Sequence, residues 1–396
     1  MSGPEIQRAR SVPSLKGAEW LKRPATRAVF DALRGEGIET RAVGGAVRNA
    51  LLGLPVLDID LATNAIPQRV IALAEKAGLK AVPTGIDHGT VTVIADGVPF
   101  EVTTLRRDVE TFGRHAEVAF TDDWQEDAKR RDFTLNALYA DRDGEVFDPL
   151  GGYPDLVARR VRFIGDPAMR IKEDYLRILR FVRFNAYYGK GPLDQVGLEA
   201  CVGLREGLEQ LSAERIASEL RRILVAPGAE AAIDALFDYG LLTGLLGGVP
   251  RLTDFKRLVE IEAHQGLAPE AALRLAVLAV FVREDVARLT ERLRLSNAEQ
   301  AVLELGVGGE MGLPTEAAAK AALYRLGPSD YRASVLIAWA RAGAAPDDSQ
   351  WRLALTLPDR WRVAAHPGRP RRRGSNRCAV RLRSAYLAPR RCAPAD

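Results

Sequence analysis

Residues 44–60 of the chain read GGAVRNALLGLPVLDID, and this stretch decides the fold of the first part of the molecule. The pair Gly44-Gly45 ends a predicted strand, Thr40 to Val43, and opens a predicted helix, Ala46 to Leu52. A strand that turns directly into a helix leaves free backbone N–H groups at the turn, where a phosphate can bind. Arg48 follows one helical turn later. The pattern predicts a phosphate-binding turn, although Gly-Gly alone also occurs in ordinary tight turns.

Two carboxylates end this stretch. Asp58 and Asp60 lie two residues apart on a predicted short strand, Leu57 to Ala62, so both carboxylates point to one face. The apolar residues beside them, Leu57 included, then point to the other face. Two acceptor-only groups aimed at one spot repel each other unless a hard cation lies between them, and Mg²⁺ takes carboxylate and phosphate oxygens. The pair fits a metal–nucleotide site, and the alternative is two solvated aspartates on an edge strand.

The sequence around this stretch predicts a small α+β domain that ends near residue 150. Alternating apolar and polar residues flank Asp96-Gly97, a dipeptide typical of a two-residue hairpin turn, and a weaker hairpin surrounds Asp143-Gly144. The predicted elements are helices at 26–37 and 67–77, hairpin strands at 88–95 and 98–105, and short strands at 138–140 and 146–147. From residue 166 to about residue 355, apolar residues recur at helical spacing and strands largely disappear.

A third carboxylate, Glu101, is predicted on the second strand of the stronger hairpin. Its side chain points away from the faces of Phe100 and Val102, because neighbouring residues alternate along a strand. Glu101 is a candidate partner of the two aspartates, and the alternative is an exposed strand glutamate.

The run Arg130-Arg131-Asp132-Phe133-Thr134, followed by Asn136, forms a second motif. Two arginines can neutralise a triphosphate through bidentate hydrogen bonds, while an Asp and an Asn offer an acceptor and an amide of the type that reads ribose hydroxyls. An Arg-Arg-Asp run alone is a common solvated charge cluster. Its place before an apolar helix, downstream of the glycine turn and the aspartates, favours nucleotide binding.

Charged residues recur at three-residue spacing along a third segment, Lys172 to Phe184. They are Asp174, Arg177, Arg180 and Arg183, and a single helix through the segment makes Asp174 and Arg177 direct neighbours. The apolar residues between them point in almost every direction, so we expect this helix to be largely buried and its charges to have partners. One interpretation is an Asp174–Arg177 ion pair, with the outer arginines reaching solvent.

The other interpretation is that Asp174 and Arg177 read a nucleobase. A fixed Asp beside a fixed Arg presents an acceptor next to donors. Cytosine offers an amino donor at N4 beside an acceptor at N3, adenine offers N6 beside N1, and guanine and uracil present the reverse order. Such a pair can bind C and A and reject G and U, because a mismatch leaves buried polar groups unpaired.

The charge of the chain is unevenly distributed. Its 396 residues include 56 Lys+Arg and 52 Asp+Glu, a formal net charge of +4. Residues 360–396 hold eleven arginines and one acidic residue, a net of +10, so the first 359 residues carry 45 basic and 51 acidic residues, a net of −6. The tail is either a flexible arm that binds RNA phosphates or a frame-shifted or divergent end. The net charge is therefore no evidence for nucleic-acid binding.

Composition excludes several protein classes. Hydrophobic residues make up 47% and charged residues 27%, unlike disordered, collagenous or coiled-coil chains. The three cysteines, Cys201, Cys378 and Cys392, lack C-x-x-C spacing, so neither a disulfide scaffold nor a Cys-ligated zinc site is expected. No apolar run is long enough for a membrane span or a signal peptide. We expect a cytoplasmic protein that uses no membrane and shows no sign of an obligate protein partner.

The motifs together resemble those of a known superfamily. The spacing GG-A-V-R-N-x-L-L-G-x₄-D-I-D in residues 44–60 resembles the signature of the nucleotidyltransferases that include DNA polymerase β, in the form found in class II tRNA CCA-adding enzymes and bacterial poly(A) polymerases. Residues 130–136 resemble the ribose-selecting motif of that family, and residues 173–177, E-D-x-x-R, resemble its base-selecting motif. Asn49 departs from the family pattern, which has Asp there.

The resemblance implies a DNA polymerase β-like α+β head with a mixed sheet, followed by an all-α neck, body and tail. It implies template-independent addition of CCA, from CTP and ATP, to the 3′ end of tRNA, with two Mg²⁺ ions and release of pyrophosphate. The implied site residues are catalytic Asp58, Asp60 and Glu101, the first two as metal ligands, and nucleotide-binding Gly45, Arg48, Arg131, Asp132, Asp174, Arg177, Arg180 and Arg183.

The expected domains are an N-terminal extension (1–25), the catalytic head (26–150), a base-selecting and RNA-binding neck (151–225), a tRNA-binding body and tail (226–360), and the basic irregular tail (361–396). The tRNA acceptor stem and 3′ end are the expected partners, held through shape and phosphate contacts. Two alternatives stay open. One is a poly(A) polymerase or an enzyme that adds only CC or only A, and the other is a catalytically silent RNA-binding protein.

Overall fold

A mixed β-sheet forms the first part of the chain and helices form the rest, as the sequence predicts. The computed structural model describes residues 12–112, 115–308 and 312–361. The arginine-rich tail lies outside the described residues from position 362 onward. The domain boundaries given above stay predictions.

Seven strands form one sheet and two more form a separate hairpin. The sheet order is β3-β4-β5-β2-β1-β8-β9, in which β2 and β5 are parallel and the other neighbours antiparallel. Both predicted hairpins are confirmed, as β4–β5 and β8–β9. The strands are β1 (Thr40–Val43), β2 (Asp60–Thr63), β3 (Lys80–Gly85), β4 (Thr90–Ala95), β5 (Val98–Thr104), β6 (Arg106–Phe112), β7 (His115–Phe120), β8 (Tyr139–Ala140) and β9 (Val146–Phe147).

Helices pack on the sheet and then continue alone to the end of the described chain. Those before and among the strands are α1 (Glu19–Lys22), α2 (Pro24–Ala32), α3 (Gly45–Leu51), α4 (Pro67–Lys76) and α5 (Trp124–Lys129). Those that follow are α6 (Tyr153–Val157), α7 (Pro167–Glu173), α8 (Leu176–Tyr188), α9 (Gln195–Gly203), α10 (Ala213–Leu224), α11 (Ala229–Asp238), α12 (Leu242–Leu246), α13 (Leu252–Gln265), α14 (Ala271–Ala279), α15 (Arg283–Leu293), α16 (Asn297–Leu305), α17 (Glu316–Leu326), α18 (Pro328–Ala342), α19 (Ser349–Leu355) and α20 (Leu357–Arg360). Short 3₁₀ helices occur at Ile86–His88, Thr134–Asn136 and Arg205–Gln210.

The two faces of the sheet support different cores. One face, with α2 and α4 packed on its strands, belongs to a large apolar cluster that continues into the helices. That cluster includes Trp20 and Leu21 of α1, so the folded part of the chain begins before residue 26. The other face carries a small cluster that includes Val43, Ala62 and Tyr139. Because residues two apart on a strand share a face, Asp60 lies on the face of this small cluster.

The strand that carries the aspartates is shorter than predicted. It begins at Asp60, so Asp58 lies in the preceding loop and Leu57 is 79% exposed instead of sharing an apolar face. The ladder with β1 explains this, since Val43 pairs with Asp60 and the chain then turns at Gly44. The residues before Asp60 therefore have no partner in β1.

A buried ion pair joins the helices of the body and provides a test of their stability. Arg274 on α14 donates from Nε to Glu262 Oε2 on α13 at 2.8 Å and from Nη1 to the Leu224 carbonyl at 2.6 Å. Arg274→Met leaves a buried carboxylate without its cation, so we expect the free energy of unfolding in urea to fall by about 3 kcal/mol. The double variant that also carries Glu262→Leu removes both charges and should recover most of this loss. Equal stability of the single variant and the parent would contradict the prediction.

Among the described residues, no helix combines the length and the apolar composition that crossing a membrane requires.

Candidate active site

Two of the three predicted carboxylates, those of Asp60 and Glu101, meet on one face at the centre of the sheet. Strands β2 and β5 run parallel with Leu61 beside Val102, so Asp60 and Glu101 lie side by side one residue earlier. Leu61 and Val102 are buried and the two acidic residues are exposed, which places the carboxylates on the opposite face. The prediction that Glu101 points away from the core is therefore confirmed.

The ionisation of Asp60 reflects this crowding. Although the Asp60 residue as a whole is exposed, the protein packed around its carboxyl partly withdraws that group from water and raises its pKa. The negative charges of Glu101 and Asp58 raise this pKa further, while Arg131 acts in the opposite direction. In the described part of the chain, no group of three or more His, Cys, Asp or Glu residues is arranged to hold a metal ion. Oxygen donors that repel each other suit a hard cation, and Mg²⁺ in nucleotide sites is bound by one or two carboxylates plus substrate phosphates. Asp58 and Asp60 thus have the donor chemistry for such an ion, which would take its other ligands from the substrate phosphates.

The glycine turn lies next to these carboxylates and requires glycine. Gly44 has φ +66° and ψ −116°, a conformation that L side chains rarely adopt. A Cβ on Gly44 would lie 3.9 Å from Arg131 Nη1. The guanidinium of Arg131 therefore faces the turn from which α3 starts, at Gly45.

Arg48 is buried and hydrogen-bonded to the protein. Its Nη2 donates to the Tyr188 hydroxyl at 2.7 Å, its Nη1 donates to Asn136 Oδ1, and its guanidinium carbon lies 3.9 Å from the Tyr188 ring centroid. Burial lowers the pKa of Arg48. Arg48 thus connects α3 to the C-terminal end of α8.

Asn49 uses both ends of its side-chain amide. Its Oδ1 accepts from Arg48 Nη2 at 3.0 Å, and its Nδ2 donates to the Pro55 carbonyl at 3.0 Å. Pro55 lies in the loop that leads to Asp58. Where the family pattern has a carboxylate, Asn49 therefore ties Arg48 to this loop through an acceptor and a donor.

Two residues that the sequence analysis missed hold Arg131. Asp127 on α5 is fully buried and accepts from Arg131 Nη2 at 3.1 Å, from Arg130 Nε at 2.8 Å and from the Tyr139 hydroxyl at 2.8 Å. Burial would raise the pKa of Asp127, but the charges of Arg131 and Arg130 and the bond from Tyr139 hold it below its ordinary value. The spacing of Asp127 three and four residues before the arginines is a signal that could have identified it.

Asp132 is buried in an internal network. Its Oδ2 accepts from Arg180 Nε at 2.9 Å and also from Arg180 Nη2, while its Oδ1 accepts from Asn136 Nδ2 at 3.0 Å and from the Phe133 amide at 2.9 Å. Burial would raise the pKa of Asp132, but the Arg180 charge and these hydrogen bonds hold it low. Since Asn136 also accepts from Arg48, the network runs from α8 through Asp132 to α3.

The segment predicted as one helix is two helices, and the Asp174–Arg177 ion pair of the first interpretation is absent between these described residues. Helix α7 ends at Glu173, and Asp174 is extended, with φ −155° and ψ 105°. Asp174 Oδ1 accepts from the amide of Leu176, the first residue of α8, at 3.1 Å. Short side chains that bond nearby backbone amides favour such breaks over continued helix.

Asp174 and Arg177 instead contact other partners. Asp174 Oδ2 accepts from Arg215 Nη2 of α10 at 2.7 Å. Arg177 Nη1 donates to Glu173 Oε2 and to the Arg170 carbonyl, each at 2.5 Å. Both side chains are thus held beside the junction of α7 and α8 without neutralising each other.

The remaining arginines of α8 have the partners that burial requires. Arg183 Nε donates to Glu219 Oε2 of α10 at 2.5 Å, and Arg180 pairs with Asp132 of the head. The prediction that this helix is largely buried, with paired charges, is confirmed, because Ile178, Phe181 and most of its other apolar residues are buried.

Two family models match the chain. Residues 40–162 match the poly A polymerase head domain, and residues 193–256 match the probable RNA and SrmB-binding site of polymerase A. Residues 40–162 of the chain are thus similar to the poly A polymerase head domain. The family resemblance is thereby confirmed for residues 44–60 and 130–136, which lie within the first match, and so is the nucleotidyltransferase fold of the head. Residues 173–177 lie between the two matches, so the base-selecting motif stays a prediction.

Proteins of similar sequence are named CCA tRNA nucleotidyltransferase or CCA-adding enzyme. The mitochondrial CCA tRNA nucleotidyltransferase 1 of mouse is 40% identical over 272 residues, 67% of this chain and 61% of that enzyme. The CCA-adding enzyme of Anoxybacillus flavithermus is 38% identical over 265 residues, 65% of this chain and 64% of that enzyme. The chain therefore spans a little over three fifths of these relatives.

Solved structures of such enzymes share the architecture. The Bacillus stearothermophilus CCA-adding enzyme in complex with CTP superposes with a TM-score of 0.64 and 28% identity, over 84% of this chain and 81% of that chain. The Thermotoga maritima CCA-adding enzyme complexed with tRNA has a TM-score of 0.64, 19% identity and coverage of 86% and 83%. At that identity the second likeness shows the fold alone.

The structure gathers the predicted residues into two groups. The first group lies around the glycine turn and the carboxylate face and consists of Asp58, Asp60, Glu101, Gly45 and Arg131. A second group at the junction of the head with α7 and α8 consists of Arg48, Asp132, Asp174, Arg177, Arg180 and Arg183. Sequence reasoning missed Asp127, Tyr139 and Tyr188, and it assigned no partner role to Arg215 or Glu219.

Proposed function

We propose that this protein adds nucleotides from CTP and ATP to the 3′ end of tRNA and so builds or restores the CCA end. The observation that carries the proposal is the meeting of Asp60 and Glu101 beside the Gly44 turn, with Arg131 as the facing cation. Relatives of similar sequence named as CCA-adding enzymes support it. Because the chain spans only part of their length, the activity of the whole protein is itself the proposal.

The carboxylate face would bind the reacting groups. Asp58 and Asp60 would hold two Mg²⁺ ions, which supply charge neutralisation for the triphosphate and make the RNA 3′-hydroxyl more acidic. Glu101, beside Asp60, would position the attacking hydroxyl. Gly45 and Arg131 would bind phosphate oxygens, so that the α-phosphorus lies in line with the hydroxyl and pyrophosphate can leave.

The hydrogen-bond network around Asp132 would mainly hold the walls of the nucleotide pocket in place, and not all of its polar groups would contact the nucleotide. Asp132 is the predicted ribose contact, and both of its oxygens already accept protein hydrogen bonds. We propose that Arg48 and Arg180, bonded to Asn136 and Asp132, order the pocket between α3 and α8. Arg183, paired with Glu219, would orient α8 in the same way.

Asp174 and Arg177 would select the base. The Asp174 side chain is 32% exposed, and a carboxylate oxygen that accepts from Arg215 retains a lone pair for the amino group of C or A. Arg177 uses Nη1 for its protein contacts, and the proposal assigns its Nε and Nη2 donors to N3 of cytosine or N1 of adenine. Guanine and uracil would place an acceptor oxygen against the Asp174 carboxylate, which is also an acceptor. Such a mismatch leaves buried polar groups unpaired.

The helical body would bind the acceptor stem of tRNA by shape and phosphate contacts. Residues 193–256 match an RNA-binding family model, which supports this part of the proposal. A cytoplasmic location fits the bacterial relatives and stays a prediction, since other relatives are mitochondrial enzymes.

One assay tests the proposal and separates it from the two alternatives. Purified protein receives Mg²⁺ and tRNAs that end before C, after one C or after CC, with CTP alone, ATP alone or both. We expect addition of CC from CTP, of a single A after CC from ATP, and no further growth. Long A tracts would indicate a poly(A) polymerase, and addition of only CC or only A would indicate a partial enzyme. No incorporation would contradict the enzyme and favour a silent RNA-binding protein.

A further inference from the structure

Tyr139 is buried at the edge of the candidate site, and the proposed transfer reaction assigns no role to its hydroxyl. Tyr139 pairs with Val43 in the β1–β8 ladder, next to the Gly44 turn. Its ring packs edge-on against Trp124 of α5, with ring centroids 5.3 Å apart. The side chain is therefore fixed between the central sheet and the helix that leads to Arg131.

The hydroxyl completes a closed ring of hydrogen bonds. It donates to Asp127 Oδ2 at 2.8 Å and accepts from Arg131 Nε at 3.1 Å, while Arg131 Nη2 donates to the same Asp127 oxygen at 3.1 Å. Burial raises the pKa of Tyr139, so the group stays a neutral hydroxyl that can both donate and accept. Two of the three nitrogens of Arg131 are thus fixed by one carboxylate and one phenol.

This ring determines where the third nitrogen of Arg131 lies. Nη1 faces the glycine turn, 3.9 Å from the position of a Cβ on Gly44. Without the bond from Nε to Tyr139, the guanidinium could rotate about its remaining contact with Asp127. A displaced guanidinium would lose the planar, two-point geometry that makes arginine effective toward phosphate oxygens.

We infer that Tyr139 is a positioning residue for triphosphate binding: its hydroxyl orients Arg131 so that Nη1 faces the phosphates at the Gly44 turn. This inference rests on the proposed nucleotidyl transfer. It concerns the phosphates, which CTP and ATP share, and not the base. Its effect must therefore be the same for both nucleotides.

Tyr139→Phe tests this inference by removing one oxygen while keeping the ring against Trp124. We expect the KM for CTP and the KM for ATP each to rise about 10-fold, with kcat changed less than threefold, because a hydrogen bond to a charged group is lost. Tyr331→Phe is the matched control. It also removes a buried tyrosine hydroxyl, which donates to the Ala354 carbonyl at 3.1 Å in the helical body, and it should leave both KM values unchanged.

Three measurements make the outcome decisive. Urea unfolding of both variants distinguishes a positioning role of Tyr139 from a merely structural one. A structural role would lower the free energy of unfolding of Tyr139→Phe and leave its KM values unchanged, and that result would overturn the inference. A change of KM for one nucleotide only would also overturn it. Equilibrium dialysis of CTP against the full chain with Mg²⁺ gives the dissociation constant directly. If the parent protein transfers no nucleotide, the proposed function fails. In that case a 10-fold weaker binding of CTP by Tyr139→Phe would still support the inference about Tyr139, whereas unchanged binding of CTP would overturn it.

Discussion

Asp60→Asn should reduce the rate of nucleotide incorporation at least about 10³-fold, because it removes one negative charge where several kcal/mol of charge stabilisation is expected. The amide keeps the size of the side chain and its place in the ladder with Val43. The fold should therefore persist while metal-dependent chemistry is lost. Single-turnover incorporation of CTP into tRNA lacking CCA, measured over a series of Mg²⁺ concentrations, gives the rate.

Asp96→Asn is the matched control for this substitution. Asp96 lies on the β4–β5 turn of the same sheet with φ +51°, a conformation that Asn tolerates well. It makes the same chemical change away from the carboxylate face, and its rate should equal that of the parent. A rate within tenfold of the parent for Asp60→Asn would show that the carboxylate face is not the reaction centre.

Asp174→Ala should reduce the preference for CTP and ATP over UTP and GTP on the order of 10³-fold, because sites built to hydrogen-bond a substrate group reject analogues by large factors. The substitution also removes the partner of Arg215, which then becomes free to pair elsewhere. The half-saturating Mg²⁺ concentration should stay unchanged, since Asp174 lies on the helical side of the site. Competitive incorporation of all four nucleotides measures the preference.

The control for Asp174→Ala removes another carboxylate that accepts from a backbone amide at the start of a helix. Asp194 Oδ2 accepts from the Gly197 amide at 3.0 Å at the start of α9, and Asp194→Ala should keep the parent preference. If Asp174→Ala abolishes Mg²⁺ dependence instead of base choice, the base-reading assignment is wrong.

Local patterns predicted the glycine turn and the hairpins of the head well, because each of them depends on residues that are close in sequence. Gly44 needs its conformation whatever surrounds it, and the hairpin turns at Asp96-Gly97 and Asp143-Gly144 depend on the residues of the turn itself. The meeting of Asp60 with Glu101 followed from motif resemblance and strand alternation. A parallel pair of strands then brought them together.

The partners of the charged residues could not be predicted in the same way. Arg180 pairs with Asp132, 48 positions away, and Asp174 with Arg215, 41 positions away, so neither spacing nor periodicity indicates them. The helical geometry assumed for residues 172–184 even suggested a different pair. One residue of extended backbone at Asp174 was enough to separate Asp174 from Arg177.

By itself, the sequence determined the family resemblance, the glycine turn, the hairpin turns and the order of a sheet followed by helices, because these depend on residue type and local spacing. Only the tertiary structure decided which charges neutralise each other and which remain directed at the site. The ring of Arg131, Asp127 and Tyr139 illustrates the difference. A buried charge must find a partner in three dimensions, and the nearest partner in space need not be near in sequence.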